Sequence, residues 1–143
     1  MRLTRAGEYA IRCIYYLARQ GEGVVTKRQQ ISHTMSIPDQ FLGKIAQQLS
    51  QAGLIEIVQG SKRELQLVIS PYKISMLDVI EAVIGKIFLN DCILRKESCN
   101  RSTACIAHQV WQKARDQLRD TLAEATFDKL VHEEKYFRPF CQF

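Results

Sequence analysis

Within the first seventy residues, three short segments of helical spacing are followed by two β-rich runs around a glycine-bearing turn, and that order narrows the fold more than any other feature. Thr4 can cap a helix reaching about residue 20, with Ala10, Cys13, Ile14 and Leu17 at three- and four-residue steps as its buried face. Gly21-Glu22-Gly23 ends it. Thr26, with Gln29 three residues on, has capping-box spacing and starts a second helix to about His33. Ser36-Ile37-Pro38-Asp39 then supplies a cap, a proline near the first helical position and an acid in the first turn. The third helix is predicted to reach about residue 51, burying Phe41, Leu42, Ile45 and Leu49, with Gly53 as its terminating glycine. Runs 54–59 and 64–69 flank Gly60-Ser61-Lys62-Arg63, a tetrad suited to a hairpin turn. The expected class is mainly α with a small β-hairpin wing: a winged helix-turn-helix. Its third helix would enter a DNA major groove and its hairpin would lie along the backbone or minor groove. The same order of elements can also serve protein binding.

Beyond Pro71 the pattern changes. Ser75-Met76-Leu77-Asp78 is a second capping box and opens a helix through Val79, Ile80 and Val83 to Gly85. Residues 86–104 show no clean periodicity and read as a loop. A long helix is predicted over about 103–125, where Ala107, Trp111, Ala114, Leu118, Leu122 and Ala125 recur at steps of 4, 3, 4, 4 and 3, a stripe suited to a partner helix. A loose helical tail with Phe127, Leu130 and Val131 follows. The organisation expected is a winged helix-turn-helix over 1–72, a linking helix and cysteine loop over 73–102, and a dimerisation helix with C-terminal tail over 103–143.

Charge supports a polyanionic partner. Residues 1–70 carry nine Lys/Arg against five Asp/Glu, whereas residues 71–143 carry eleven against ten. The most apolar stretch, 76–89, is interrupted by Asp78, Glu81 and Lys86, so no membrane span is expected. The first residues contain an early acid and no signal-type apolar region, which points to the cytoplasm.

In that reducing compartment the five cysteines are unsuited to disulfide scaffolding. Cys13 falls on the buried stripe of the first helix, and Cys141 lies in the tail. Cys92, Cys99 and Cys105 cluster, and His108 follows Cys105 with two residues between them, so that the pair shares one side of a helix start. Three thiols and an imidazole are a metal-ligand set suited to an iron–sulfur cluster, zinc or copper(I). The gaps of six and five residues are wider than those of common zinc knuckles.

The opening Met1-Arg2-Leu3-Thr4-Arg5-Ala6-Gly7-Glu8-Tyr9-Ala10, the Ile37-Pro38 pair with Phe41-Leu42, the stretch Ile74-Ser75-Met76-Leu77-Asp78-Val79-Ile80-Glu81-Ala82-Val83 and the cysteine series together resemble the IscR/NsrR/RirA/CymR family of winged-helix transcriptional regulators (Rrf-two type). The resemblance covers nearly the whole chain. It implies a homodimer paired through the long helix, binding to double-stranded operator DNA, usually as a repressor, and no enzymatic activity. It also implies that Cys92, Cys99 and Cys105 ligate an iron–sulfur cluster, of the 2Fe-2S type or alternatively 4Fe-4S. His108 is the favoured fourth ligand, and Glu8 from the partner's first helix is the alternative. Such a cluster would report redox, iron or nitric oxide status.

In this picture Gln40, Lys44 and Gln47 face the groove, and Arg2, Arg5, Arg28, Lys62 and Arg63 meet phosphate. Two positions depart from the family pattern. The wing reads Gly60-Ser61-Lys62-Arg63-Glu64-Leu65-Gln66 where relatives carry Arg-Gly and Gly-Gly-Tyr, and the third helix has Gly43-Lys44 where Glu-Gln is common. A mid-helix glycine costs about 1 kcal/mol relative to alanine. The rival readings are the same regulator with structural zinc or with no metal, responding to a thiol or metabolite, and an electron carrier or cluster-transfer protein. The residues offer no catalytic arrangement around His33 or His132.

Overall fold

The computed structural model describes residues 3–60, 63–101 and 103–137. Helix α1 (Arg5–Gln20) starts where Thr4 Oγ1 accepts the Gly7 N–H, and its stripe of Ala10, Cys13, Ile14 and Leu17 is fully buried. Helix α3 (Asp39–Gln51) packs on α1 through Leu42, Ile45, Ala46 and Leu49. It ends in a Schellman arrangement: Gly53 has φ +78°, its N–H donates to Ser50 O, and Leu54 N–H donates to Leu49 O. A Cβ is strained at that φ, which is the reason for glycine there.

Strands β2 (Ile55–Val58) and β3 (Glu64–Leu67) form the expected hairpin, with Ile55 opposite Leu67 and Val58 opposite Glu64. A third strand, β1 (Thr26–Lys27), adds to its other side, giving the order β1-β3-β2. Thr26 is therefore not a helix cap. It is buried and pairs with Leu65, and helix α2 (Arg28–Met35) starts one residue later from Lys27 without a side-chain cap. The strand ladder gives these backbone groups partners that a local capping box would otherwise have to supply.

Ser36 also differs from expectation. It ends α2 in the left-handed region (φ 54°), while Pro38 stands at the start of α3. Phe41, expected in the core, is 52% exposed and leans on Tyr9 with ring centroids 6.0 Å apart. The buried line of α3 runs through 42, 45, 46 and 49, and residue 41 flanks it by one helical step.

Helix α4 (Met76–Ile84) opens with the full capping box: Asp78 N–H donates to Ser75 Oγ and Ser75 N–H donates to the Asp78 carboxylate. It packs on α1 and α3 and, on another side, on α6 (Ile106–Glu124). The segment between them is not a plain loop; it contains a short helix, α5 (Asp91–Leu94), and a 3-10 turn (Lys96–Ser98).

Nor are residues 127–137 a loose tail. Helix α7 (Phe127–Phe137) folds back onto α1, and Phe127 is fully buried. The return is pinned by Met76 N–H to Ala125 O and Phe127 N–H to Ile74 O, both 2.9 Å. An aromatic ring of that size reaches the core because the turn at 125–126 bonds to the entry of α4.

Helix α6 itself buries no residue completely. Ala114, Leu118, Leu122 and Ala125 of the sequence-read stripe are half-buried by the chain's own packing, whereas Ile106, Val110 and Trp111 stand 83%, 61% and 43% exposed. No helix among the described residues is long and apolar enough to cross a membrane.

Candidate nucleic-acid interface and cysteine segment

The outer face of α3 presents Gln40, Lys44 and Gln47 to solvent, and with Gly43 they line one concavity that also includes Arg28, Asp39, Ile57, Arg63 and Leu65. Helix and wing thus share a single surface. Arg63 enters it at the exposed base of the wing, with φ +46°. Arg5 is exposed in a separate hollow with Glu8 and Arg12 at the start of α1. Arg2 and Lys62 lie outside the described residues.

Arg28 is not a free surface cation. Its Nε and Nη2 donate to the two carboxylate oxygens of Asp39 at 3.0 and 2.8 Å, and its side chain is only 13% exposed. Its backbone N–H donates to Arg63 O at 3.0 Å. One residue therefore joins α2, the first turn of α3 and the wing. Arg28 and Asp39 are eleven positions apart, across a helix boundary, so no local sequence pattern announces the pair.

Cys105 is the N-cap residue of α6 and half-buried, and His108 lies one turn on. His108 N–H donates to Cys105 O at 3.1 Å. The Nδ1 of His108 is buried without a hydrogen-bond partner among the described residues. Cys92 sits half-buried in α5, and Cys99 is exposed after the 3-10 turn. All three are free thiols. Among the described residues, no three His, Cys, Asp or Glu side chains stand close enough together to hold one metal ion. Glu8 is exposed in the first turn of α1.

Two ties anchor the cysteine segment, and periodicity revealed neither. Glu81 of α4 accepts both the Arg119 guanidinium of α6 and the Ile87 N–H at 3.2 Å. Asn90, with its amide turned to suit its neighbours, accepts from Trp111 Nε1 at 3.1 Å. An acid within an apolar helical run was the available signal for Glu81.

Cys13 differs in kind from the other thiols. Burial pushes its thiol up from 9.0 to about 12. Its neutral form is favoured in the folded chain, so this contribution to stability is intact below pH 9 and is lost as pH rises from 9 towards 12. Iodoacetamide at pH 8.5 is expected to leave Cys13 unmodified in native protein and to label it once urea unfolds the chain, as peptide mass spectrometry would show. Native labelling at the rate of Cys99 would contradict its burial.

Residues 3–133 match the Rrf2 family, described as an iron-dependent transcriptional regulator. The chain is 27% identical over 144 residues to the HTH-type transcriptional regulator NsrR of Shouchella clausii, covering 100% of this chain and 97% of the relative. It is 27% identical over 135 residues to the HTH-type transcriptional regulator IscR of Vibrio cholerae, covering 94% and 78%. The crystal structure of oxidised CymR from Staphylococcus aureus superposes with a TM-score of 0.71 at 26% identity, covering 92% of this chain and 96% of that one. The family match spans α1 to α7 and includes both the α3–wing surface and the cysteine segment, and the chain is accordingly a transcriptional regulator of the Rrf2 family, not an enzyme.

Proposed function

We propose that this regulator is a cytoplasmic homodimer that binds operator DNA, as a repressor, and senses redox, iron or nitric oxide status through an iron–sulfur cluster of the 2Fe-2S type held by Cys92, Cys99, Cys105 and His108. The observation that carries the reading is the buried Nδ1 of His108, one turn from Cys105 and without a hydrogen-bond partner among the described residues. A buried ring nitrogen left without a partner costs free energy, and a metal ligand is one role that removes the cost. The donors fit such a group in kind: three thiols and an imidazole are soft to borderline ligands. Gathering them requires the segment between α4 and α6 to fold inward. That segment carries Cys92 on a short helix and Cys99 just after a 3-10 turn, and its first residues are tied by Ile87 N–H to Glu81 and by Asn90 to Trp111 Nε1. Glu8 of the partner's α1 is the alternative fourth ligand.

A bound cluster supplies a centre that oxidation or nitric oxide destroys. The chain's own part is to hold the 86–104 segment ordered while Cys105 and His108 keep it against the start of α6. Because α4 contacts both the DNA-reading helices and α6, order in this segment bears on how two reading heads are spaced. Ile106, Val110 and Trp111 provide the apolar face for a second copy. On the DNA side, Gln40, Lys44 and Gln47 would read bases while Arg5, Arg63, Arg2 and Lys62 meet phosphate.

One observation favours a second reading: no three donors are gathered among the described residues, and Cys99 is an exposed thiol. A metal-free, thiol-responsive repressor would use the same fold. Anaerobic purification followed by visible spectroscopy and iron, sulfide and zinc analysis separates these cases. Visible absorption with stoichiometric iron and sulfide is expected. Colourless zinc-loaded protein, or colourless metal-free protein, would remove the cluster from the account. Selection from random DNA would in turn exclude an electron carrier.

A further inference from the structure

Helix α3 has a glycine in its middle, on the same face as Gln40, Lys44 and Gln47, where glycine is unfavourable. The structure gives the reason. A Cβ at residue 43 would lie 2.9 Å from Arg28 Nη1 and 3.5 Å from its Cζ, so any other residue would displace the guanidinium. The bare backbone of Gly43 is the bed on which Arg28 lies.

We infer that Arg28 is a specificity-determining residue of the DNA-reading face: laid over Gly43 and clamped by Asp39, it takes the place of a residue-43 side chain and selects guanine. This rests on the DNA-binding reading above. A guanidinium has five N–H donors. Asp39 engages Nε and Nη2 along one edge, and the two N–H of Nη1 and one of Nη2 have no partner among the described residues. Those donors form the second fork of the group, and a fork of this kind matches the O6 and N7 acceptors of guanine in the major groove. Arg28 lines the concavity shared with Gln40, Lys44, Gln47 and Arg63, which puts its side chain on the surface that would meet DNA. Its N–H to Arg63 O fixes it to the wing as well. The charge clamp also neutralises Asp39, whose carboxylate at the DNA-facing helix start would otherwise repel phosphate. Lysine cannot reproduce two parallel N–H bonds on each side.

The test is selection from a random-sequence DNA pool with wild type, Arg28→Lys and Gly43→Ala, each first compared for thermal unfolding. Wild type is expected to enrich a site with a fixed guanine in each half. Arg28→Lys, which keeps the charge, should lose discrimination at that one base pair by about 10- to 100-fold and keep the remaining sequence and the salt dependence. Gly43→Ala should lose the same preference by pushing the guanidinium aside, while unfolding no earlier than wild type. Should Arg28→Lys fail to fold, Gly43→Ala decides alone. Unchanged base preference in a folded variant, or a uniform fall in affinity over all sequences, overturns the inference and leaves the regulator reading standing. Failure of wild type to enrich any sequence overturns both.

Discussion

Replacing Cys105 with serine is expected to yield protein that stays colourless after anaerobic purification and whose operator affinity no longer differs between iron-replete and iron-depleted preparations. Wild type is expected to show a ratio of about 100, equivalent to about 2.7 kcal/mol of differential stabilisation, which a segment tied by three metal–thiolate bonds is able to supply. Cys105 suits this experiment because the substitution separates ligation from folding. It stands at the N-cap of α6, where its side chain makes no capping hydrogen bond. Serine is among the favoured residues at that position, so α6 should be as stable or slightly more so. Iron and sulfide content, the visible spectrum and fluorescence anisotropy on a selected operator are the measurements. A Cys105→Ser protein that retains wild-type colour and iron would place the donors elsewhere.

The largest effect on stability is expected at Phe127. Its ring is fully buried in the core, although it belongs to the last helix, which packs on α1 and on the 3-10 turn Pro71–Lys73. Truncation to alanine removes the aromatic contacts and leaves a cavity, a loss of about 3–5 kcal/mol. A domain of this size is stable by about 5–15 kcal/mol, so Phe127→Ala should lower the urea midpoint severely without changing any group on the α3 face. Phe127→Leu should be milder. The return of α7 also depends on Phe127 N–H to Ile74 O and Met76 N–H to Ala125 O, which substitution leaves in place. A loss below about 1 kcal/mol would mean that α7 does not contribute to the core.

These two sites show what local pattern reveals and what it hides. The starts of α1 and α4 and the end of α3 were legible because each is set within a few residues, by Thr4 on Gly7, by Ser75 with Asp78, and by Gly53 after Gln51. Such bonds form wherever the chain folds locally. Thr26 carried an equally good local pattern and it misled, since pairing with Leu65 across nearly forty residues supplies its backbone partners instead. Phe41 and Phe127 were misjudged in opposite directions. Apolar character says that a ring prefers burial, but which ring finds room depends on helix packing.

The site divides in the same way. Chemistry was readable from residue types: three thiols and an imidazole as soft donors, and basic residues around the wing and third helix. Geometry was not. The clamp of Arg28 by Asp39, the bed provided by Gly43 and the meeting of Glu81 with Arg119 and Ile87 join residues distant in sequence.

Local chemistry in the sequence was enough for the starts of α1 and α4, the end of α3, the hairpin and the class of the fold, because capping, turn residues and periodicity act over a few residues. The third strand, the return of α7 into the core and the engagement of Arg28 came from packing between distant segments. Those outcomes depend on which distant surfaces close against one another, and burial and long-range hydrogen bonds then outweigh local preference.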